Sequence, residues 1–265
     1  TGPQSDLILD EGHAVHSIYN PGQLVTGGPW DYFMAAPLFA GSAAPRSAAI
    51  IGLAGGTIAR DLTAVYGPIP IDGVEIDPKI IQVGRTYFDM NEPNLNAIAE
   101  DGRYYITTTG KKYDLIGIDA YRQPYIPFHL TTKQFFQEVR DHLTPNGVAV
   151  INAGRTETDY RLVDVIGSTM KAVFPNVFVI DLPSPQINSI VVGTNQPAQL
   201  AYFAANAAGL TNPVLRQVTS TALTQGRVRE VTSAPVVFTD DWAPVEKVID
   251  EIILGYAREG GDEVR

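Results

Sequence analysis

The chain of 265 residues contains no cysteine. Disulfides, thiolate metal sites and a cysteine nucleophile are therefore excluded. It also lacks the uninterrupted apolar run of roughly 18 residues that a membrane-spanning helix requires. The nearest stretch, 35–59, is broken by Arg46, two prolines and several glycines, and reads as loop, strand and turn. No basic segment opens the chain, so no secretory leader is visible. The abrupt start at Thr1 leaves open a boundary within a longer protein. A G-x-S-x-G nucleophile elbow, internal repeats and low-complexity tracts are absent as well. Basic residues are in deficit, with 19 Lys and Arg against 29 Asp and Glu, for a formal net charge of −10. An acidic surface repels phosphate backbones, which argues against nucleic acid as a partner. It suits a cationic substrate, although solubility alone accounts for it equally well.

What is present is an ordinary globular composition, 45% hydrophobic and 18% charged. Only the tail, 260–265, reads as disordered. Two short strands, 7–9 and 15–19, precede a helical patch starting near Trp30. From residue 47 strands and helices alternate. Strands are expected at 48–53, 71–76, 95–99, 113–119 and 148–152, with two more at 177–181 and 189–193. Helices are expected at 57–66, 78–88, 102–108, 131–143 and 159–174, and Pro145-Asn146-Gly147 reads as a turn. Such alternation calls for a parallel sheet covered by helices on both faces. Residues 200–208 and 245–256 look helical within a mixed C-terminal stretch. The expected organisation is an N-terminal β region (1–35), a Rossmann-like core (36–196) and a C-terminal helical appendage (197–265).

Ligands of such sheets lie beyond the carboxyl ends of the strands. The first core strand ends in Gly52-Leu53-Ala54-Gly55-Gly56, where glycines allow a sharp turn and close approach to a ligand at a helix N-terminus. This turn alone fits NAD, FAD, an adenosyl-methionine cofactor or simply a tight bend. The second strand ends in Glu75-Ile76-Asp77, and Glu75 stands 19 residues after Gly56, the separation of an acid that binds ribose hydroxyls. The third ends in Glu100-Asp101-Gly102, where Asp101 suits an adenine amino group, a helix N-cap, or both. The fourth ends in Asp119. A nicotinamide enzyme would use the first two features and leave Asp101 and Asp119 without a task. The set of four points to an adenosyl-sulfonium ligand.

With these residues the chain resembles the spermidine synthase (polyamine aminopropyltransferase) family, most closely over 28–152. The matching motifs are the glycine turn at 52–56, Glu75-Ile76-Asp77, Asp101-Gly102-Arg103 and the loop headed by Asp119. Two further segments, 27–33 and Phe238-Thr239-Asp240-Asp241-Trp242-Ala243-Pro244-Val245-Glu246, are similar to membrane-fused bacterial members. The resemblance implies a class I methyltransferase-type Rossmann-like fold. It further implies aminopropyl transfer from decarboxylated S-adenosylmethionine to a di- or polyamine, with release of methylthioadenosine and no metal. It assigns Gly52, Gly55, Gly56, Glu75, Ile76, Asp101, Gly102 and Asp119 to the cofactor. Trp30, Tyr32, Asp119 and Tyr121 go to the amine, with Asp119 as catalytic base. A homo-oligomer, a dimer or tetramer, is also implied, in the cytoplasm and in some members as the soluble part of a membrane protein.

Two positions depart from the family pattern. Gly55 stands where the family carries an Asp that anchors the aminopropyl ammonium, and Arg122 replaces a second loop Asp. These departures keep two other readings open: an S-adenosylmethionine-dependent small-molecule methyltransferase, and a non-catalytic adenosyl- or polyamine-binding domain of a membrane protein. His129 reads as loop structure. His13 and His16 lack a third ligand for a metal. Asp240 and Asp241 are expected to cap the helix near Pro244 or to pair with a basic residue.

Overall fold

The computed structural model describes residues 4–9, 14–41, 44–122 and 124–258. His13 and the tail 260–265 lie outside the described residues. An antiparallel hairpin of β1 (Ser5–Leu9) and β2 (Ala14–Tyr19) comes first. A 3₁₀ segment, Pro29–Phe39, follows, and all of its side chains are buried. It is the helical patch expected near Trp30, and it is 3₁₀ rather than α-helical. Pro37 lacks an amide hydrogen and interrupts α-helical bonding, and burial on every side erases the amphipathic stripe by which a helix is read.

The core then alternates as expected: β3 (Ala48–Ile51), α1 (Thr57–Tyr66), β4 (Ile71–Glu75), α2 (Pro78–Tyr87), β5 (Leu95–Ala99), α3 (Gly102–Thr108) and β6 (Tyr113–Ile118). It continues through α4 (Lys133–Asp141), β7 (Leu143–Gly154), α5 (Arg161–Lys171), β8 (Asn176–Asp181) and β9 (Asn188–Thr194). Three further helices and one strand complete it: α6 (Leu200–Ala208), α7 (Pro213–Thr224), β10 (Arg227–Glu230) and α8 (Val245–Arg258). One eight-stranded sheet runs in the order β10-β8-β9-β7-β6-β3-β4-β5. Strands β3 to β7 are mutually parallel, whereas β9 is antiparallel to both β7 and β8, and β10 to β8. The sheet is thus mixed at one side rather than parallel throughout. The short connection from β8 to β9 permits only a hairpin.

Two other expectations change. The turn at 145–147 is an irregularity inside β7: pairing passes from Tyr113↔Leu143 to Leu115↔Val148, so Pro145, Asn146 and Gly147 bulge out of the ladder. Within the C-terminal stretch, α7 and β10 appear where no regular element was read.

Alternation along the strands divides the core in two. Ala49, Ile51, Ile116 and Ile118 face the layer built by Tyr105, Phe135, Ile166 and Ile249. Ala48, Ile50, Leu115 and Val148 face Phe33, Phe39, Leu62, Phe203 and Leu215. Both faces of the sheet are dry, which is why these strands read as continuous apolar runs. The chain leaves β3 outward through β4 and β5, then returns to place β6 on the other side of β3. That reversal is a topological switch point at the carboxyl ends of β3 and β6, where sheets of this kind hold ligands in a crevice.

Candidate active site

The crevice is shaped by one close backbone approach. Gly52 has φ +88°, and a Cβ there would stand 2.5 Å from the carbonyl oxygen of Asp119. The Asp119 amide in turn donates to Ile51 O at 2.8 Å. The ends of β3 and β6 are therefore held together only because residue 52 has no side chain.

Every amide of the turn is occupied. Those of Gly52 and Leu53 donate to Val74 O, Ala54 to Glu75 Oε2 at 3.0 Å, Gly55 to Ser17 Oγ at 2.8 Å, and Gly56 to Leu53 O. A pyrophosphate would need such amides free. The turn itself therefore offers no free amide to a phosphate.

Glu75, at the end of β4, accepts from the amides of Ala54 and Asp77. A carboxylate oxygen has a second lone pair, which leaves acceptor capacity for a ribose diol. Burial raises its pKa above the ordinary carboxylate value, and the backbone donors oppose that rise. Ile76, next in the chain, is 71% exposed and offers an apolar face at the rim. Asp101 caps α3 by accepting from the Tyr104 amide at 2.9 Å, while its Oδ2 lies 3.4 Å from His129 Nε2. Its side chain is 40% exposed, so a base amino group can still reach it. Gly102 packs where a Cβ would meet Ile51 Cγ2, and Gly56 begins α1.

Asp119 is half-buried at the end of β6. Asn152 Nδ2 donates to its Oδ1 at 2.9 Å, and the Trp30 side chain also donates to it. Desolvation outweighs both donors and lifts the Asp119 carboxyl to about 6. Trp30, only 8% exposed, thus meets Asp119 from the 3₁₀ segment. Tyr32 lies in the core layer with Phe33 and Met34, and burial pushes its hydroxyl up to about 12. No hydrogen bond joins Tyr32 to Asp119 among the described residues. The Tyr121 hydroxyl donates to Asn152 O at 3.0 Å and accepts from the Gly154 amide at 3.1 Å, which leaves its ring as a wall. Arg122 is exposed and pairs through its backbone with Tyr125.

Gly55 has its own occupant. A Cβ there would lie 2.9 Å from Ser17 Cβ and 3.1 Å from the Phe88 ring. β2 covers the position with a hydroxyl, so the turn has no room for an acid at that point. Asp240 forms a two-fold hydrogen-bonded pair with Arg103 at 2.8 Å, and Glu138 holds the other side of the same guanidinium. The expected pairing of Asp240 with a basic residue is met by Arg103.

The structure also brings in residues that were not singled out. Asn152 lies two residues before the end of β7, at the edge that carries the acids. Its part in the site depends on a pairing between distant strands, which the sequence does not show. Ser17 had no signal either, because its role depends on where the hairpin folds. Among the described residues no group of three or more His, Asp or Glu side chains is arranged to hold a metal ion, and no helix is long and apolar enough to cross a membrane.

The chain is similar to several known proteins. Residues 32–199 match the spermine/spermidine synthase domain. A probable polyamine aminopropyl transferase of Bifidobacterium longum is 32% identical, over 97% of this chain and 58% of its own length. The polyamine aminopropyltransferase of Vibrio vulnificus is 34% identical over 59% of this chain and 54% of its own. The chain therefore spans somewhat over half the length of these relatives. A spermidine synthase solved in complex with the transition-state analogue AdoDATO superposes with a TM-score of 0.60 at 19% identity, covering 74% of this chain and 71% of that one. This last likeness concerns the fold.

Proposed function

The chain belongs to the spermine/spermidine synthase family, and from that premise we propose that it transfers an aminopropyl group from decarboxylated S-adenosylmethionine to a di- or polyamine. The observation that carries the reading is Asp119: a desolvated carboxyl at the switch point of the sheet, beside a turn without free amides. In this reading Glu75 takes the ribose, Asp101 the adenine amino group, and Ile76 the face of the base. Decarboxylated S-adenosylmethionine is a co-substrate, and no metal enters the reaction.

The acceptor arrives as an ammonium, whose nitrogen has no lone pair to attack with. Asp119 accepts its proton, and the freed lone pair forms a bond to the methylene next to the sulfonium. The carbon–sulfur bond breaks with its electron pair moving to sulfur. The products are the lengthened amine and neutral methylthioadenosine. A carboxyl at about 6 is ionised at neutral pH yet a better proton acceptor than an ordinary Asp. Sulfonium is a good leaving group, so alignment of amine, carbon and sulfur supplies much of the rate. With Gly55 and Arg122 in place of the family acids, the reading rests on Asp119 more heavily than the family pattern would require.

The test is incubation with decarboxylated S-adenosylmethionine and a panel of diamines and polyamines, with methylthioadenosine measured by chromatography. Release that depends on an amine is expected. Turnover with S-adenosylmethionine but with no amine and decarboxylated cofactor would replace this reading by methyl transfer. Binding without turnover would make the domain a sensor.

A further inference from the structure

Asp119 is oriented from behind by two amides. An ionised carboxylate only accepts, so Asn152 must present its Nδ2, which stands 2.9 Å from Asp119 Oδ1. The carbonyl end of the same side chain accepts from Asn188 Nδ2 at 3.0 Å. Both side chains come from the edge of the sheet beside the crevice. β7 and β9 pair with Asn152 opposite Ile190 and Gly154 opposite Asn188, so the two asparagines are diagonal neighbours. The main chain at Asn152 is pinned as well, through the Tyr121 hydroxyl on its carbonyl oxygen. Asn152 is 5% exposed, so water has little access to either end of its amide.

An amide held at one end can turn over, because its oxygen and nitrogen are nearly equal in size. The turned form would offer a carbonyl oxygen to Asp119 and would favour the protonated acid, which cannot serve as base. Asn188 opposes that turn by demanding an acceptor at the far end. We infer that Asn188 and Asn152 form a positioning relay that keeps a donor on Asp119 and so holds it in its proton-accepting state. The relay deepens the aminopropyl-transfer reading and rests on Asp119 as base. The side chains facing Asp119 are Trp30 from the 3₁₀ segment, Asn152 from β7 and Tyr121 from its own loop. Only Tyr121 among these titrates, and burial keeps its hydroxyl protonated far above neutral pH. A shift in Asp119 therefore reports on the amides.

The relay is tested on the whole chain by carbon-13 NMR titration of aspartate carboxyls, with the Asp119 signal identified by its loss in Asp119→Asn. Asn188→Ala is expected to move the Asp119 midpoint upward by roughly half a pH unit, and the isosteric Asn152→Asp by about one unit or more, since two adjacent carboxyls resist double ionisation. The acid limb of the rate profile should move with it, with the KM for the cofactor unchanged. An unmoved midpoint in folded Asn188→Ala overturns the relay, and an unmoved midpoint in Asn152→Asp overturns the contact it starts from. Because the titration needs no turnover, shifted midpoints in a protein that releases no methylthioadenosine would uphold the relay and remove the transfer reading.

Discussion

Asp119 loses water where β6 ends and gains two donors, Trp30 and Asn152, and the loss wins. Its carboxyl at about 6 sets a pH dependence whose sign is definite. A base must be ionised, so kcat/KM should fall about tenfold per unit as pH drops below about 6, the value of the free protein. A bound ammonium favours the charged carboxylate, so the limb in kcat should lie at lower pH than the limb in kcat/KM. Asp119→Asn should lower kcat by roughly 10²–10⁴-fold and leave cofactor affinity within about twofold. Unchanged turnover would remove Asp119 from the mechanism. Gly52 acts on the same carboxylate through the main chain. Gly52→Ala places a methyl in the left-handed region and against Asp119 O, at a cost of about 1–3 kcal/mol in stability. Displacing Asp119 by about 1 Å should lower kcat/KM by about 10²-fold, a far larger effect than the strain alone implies. Steady-state kinetics beside calorimetry would separate the two. At this scale the acids could be read in advance, because each follows an apolar strand whose direction is legible. Asn152 and Asn188 could not, because their meaning lies in a pairing between distant strands. Ser17 likewise gains its role only when β2 folds onto the glycine turn.

Elements are tied to one another near the site by Arg103. This residue opens α3, just after the cap Asp101, and its guanidinium bridges Glu138 of α4 and Asp240 of the C-terminal segment. The two carboxylates hold its proton firmly, and Arg103 in return keeps Asp240 below the ordinary carboxylate value. Asp240 also accepts from Thr132, the N-cap of α4. The segment following β10 is thereby fastened to the helix that presents Asp101. Arg103→Leu should cost about 1–2 kcal/mol, a figure held down by the partial exposure of Asp240. The KM for the cofactor should rise while kcat changes little, because Asp101 loses its support but Asp119 does not. A fall confined to kcat would contradict this placement. The same network explains the motif at 238–246, which the sequence marks only as a likeness. Among the elements themselves, β3 to β7 and their helices follow from apolar runs bounded by Gly and Pro. The 3₁₀ form of residues 29–39, the bulge at 145–147 and β10 escape such reading. The first is buried all round, the second has a turn's composition inside a strand, and the third, Arg-Val-Arg-Glu, carries charge on an edge strand whose pairing alone defines it.

At the scale of the whole molecule, acids dominate, with a net charge of −10. Several of them are buried on the face of the sheet covered by α1 and the 3₁₀ segment. Asp61 of α1 is almost wholly buried, and neither carboxyl oxygen has a hydrogen-bond partner among the described residues. Desolvation and the neighbouring Asp31 raise its pKa well above the usual value, and Arg60 offsets only part of this. Asp31, Glu75 and Asp119 are raised as well, each chiefly by burial. A raised acid binds more protons when folded than when unfolded. Its contribution is fully present below the unfolded pKa of about 4 and is lost as pH rises through the folded value. Asp72, Asp159 and Asp240 act in the opposite sense but are lowered through pairs with cations in which at least one partner reaches solvent. Raising salt from about 0.05 to 0.5 M screens those pairs more than it does the buried acids. The protein should therefore be more stable near pH 6 than near pH 8.5, and the difference should persist in salt. Asp61→Leu removes an unpartnered polar group at similar volume, which is worth about 1–3 kcal/mol. At about 2–4 °C per kcal/mol for a chain of this size, its melting temperature should rise by several degrees at pH 8.5 and by less at pH 6. Calorimetry at both pH values checks the sign. A variant that loses stability equally at both would show that Asp61 is held by a partner and is not the source of the slope. Asp61 is the fifth residue of α1, the helix that follows the glycine turn, so the same variant, assayed for methylthioadenosine, tells whether the buried acid serves the proposed site or only burdens the fold.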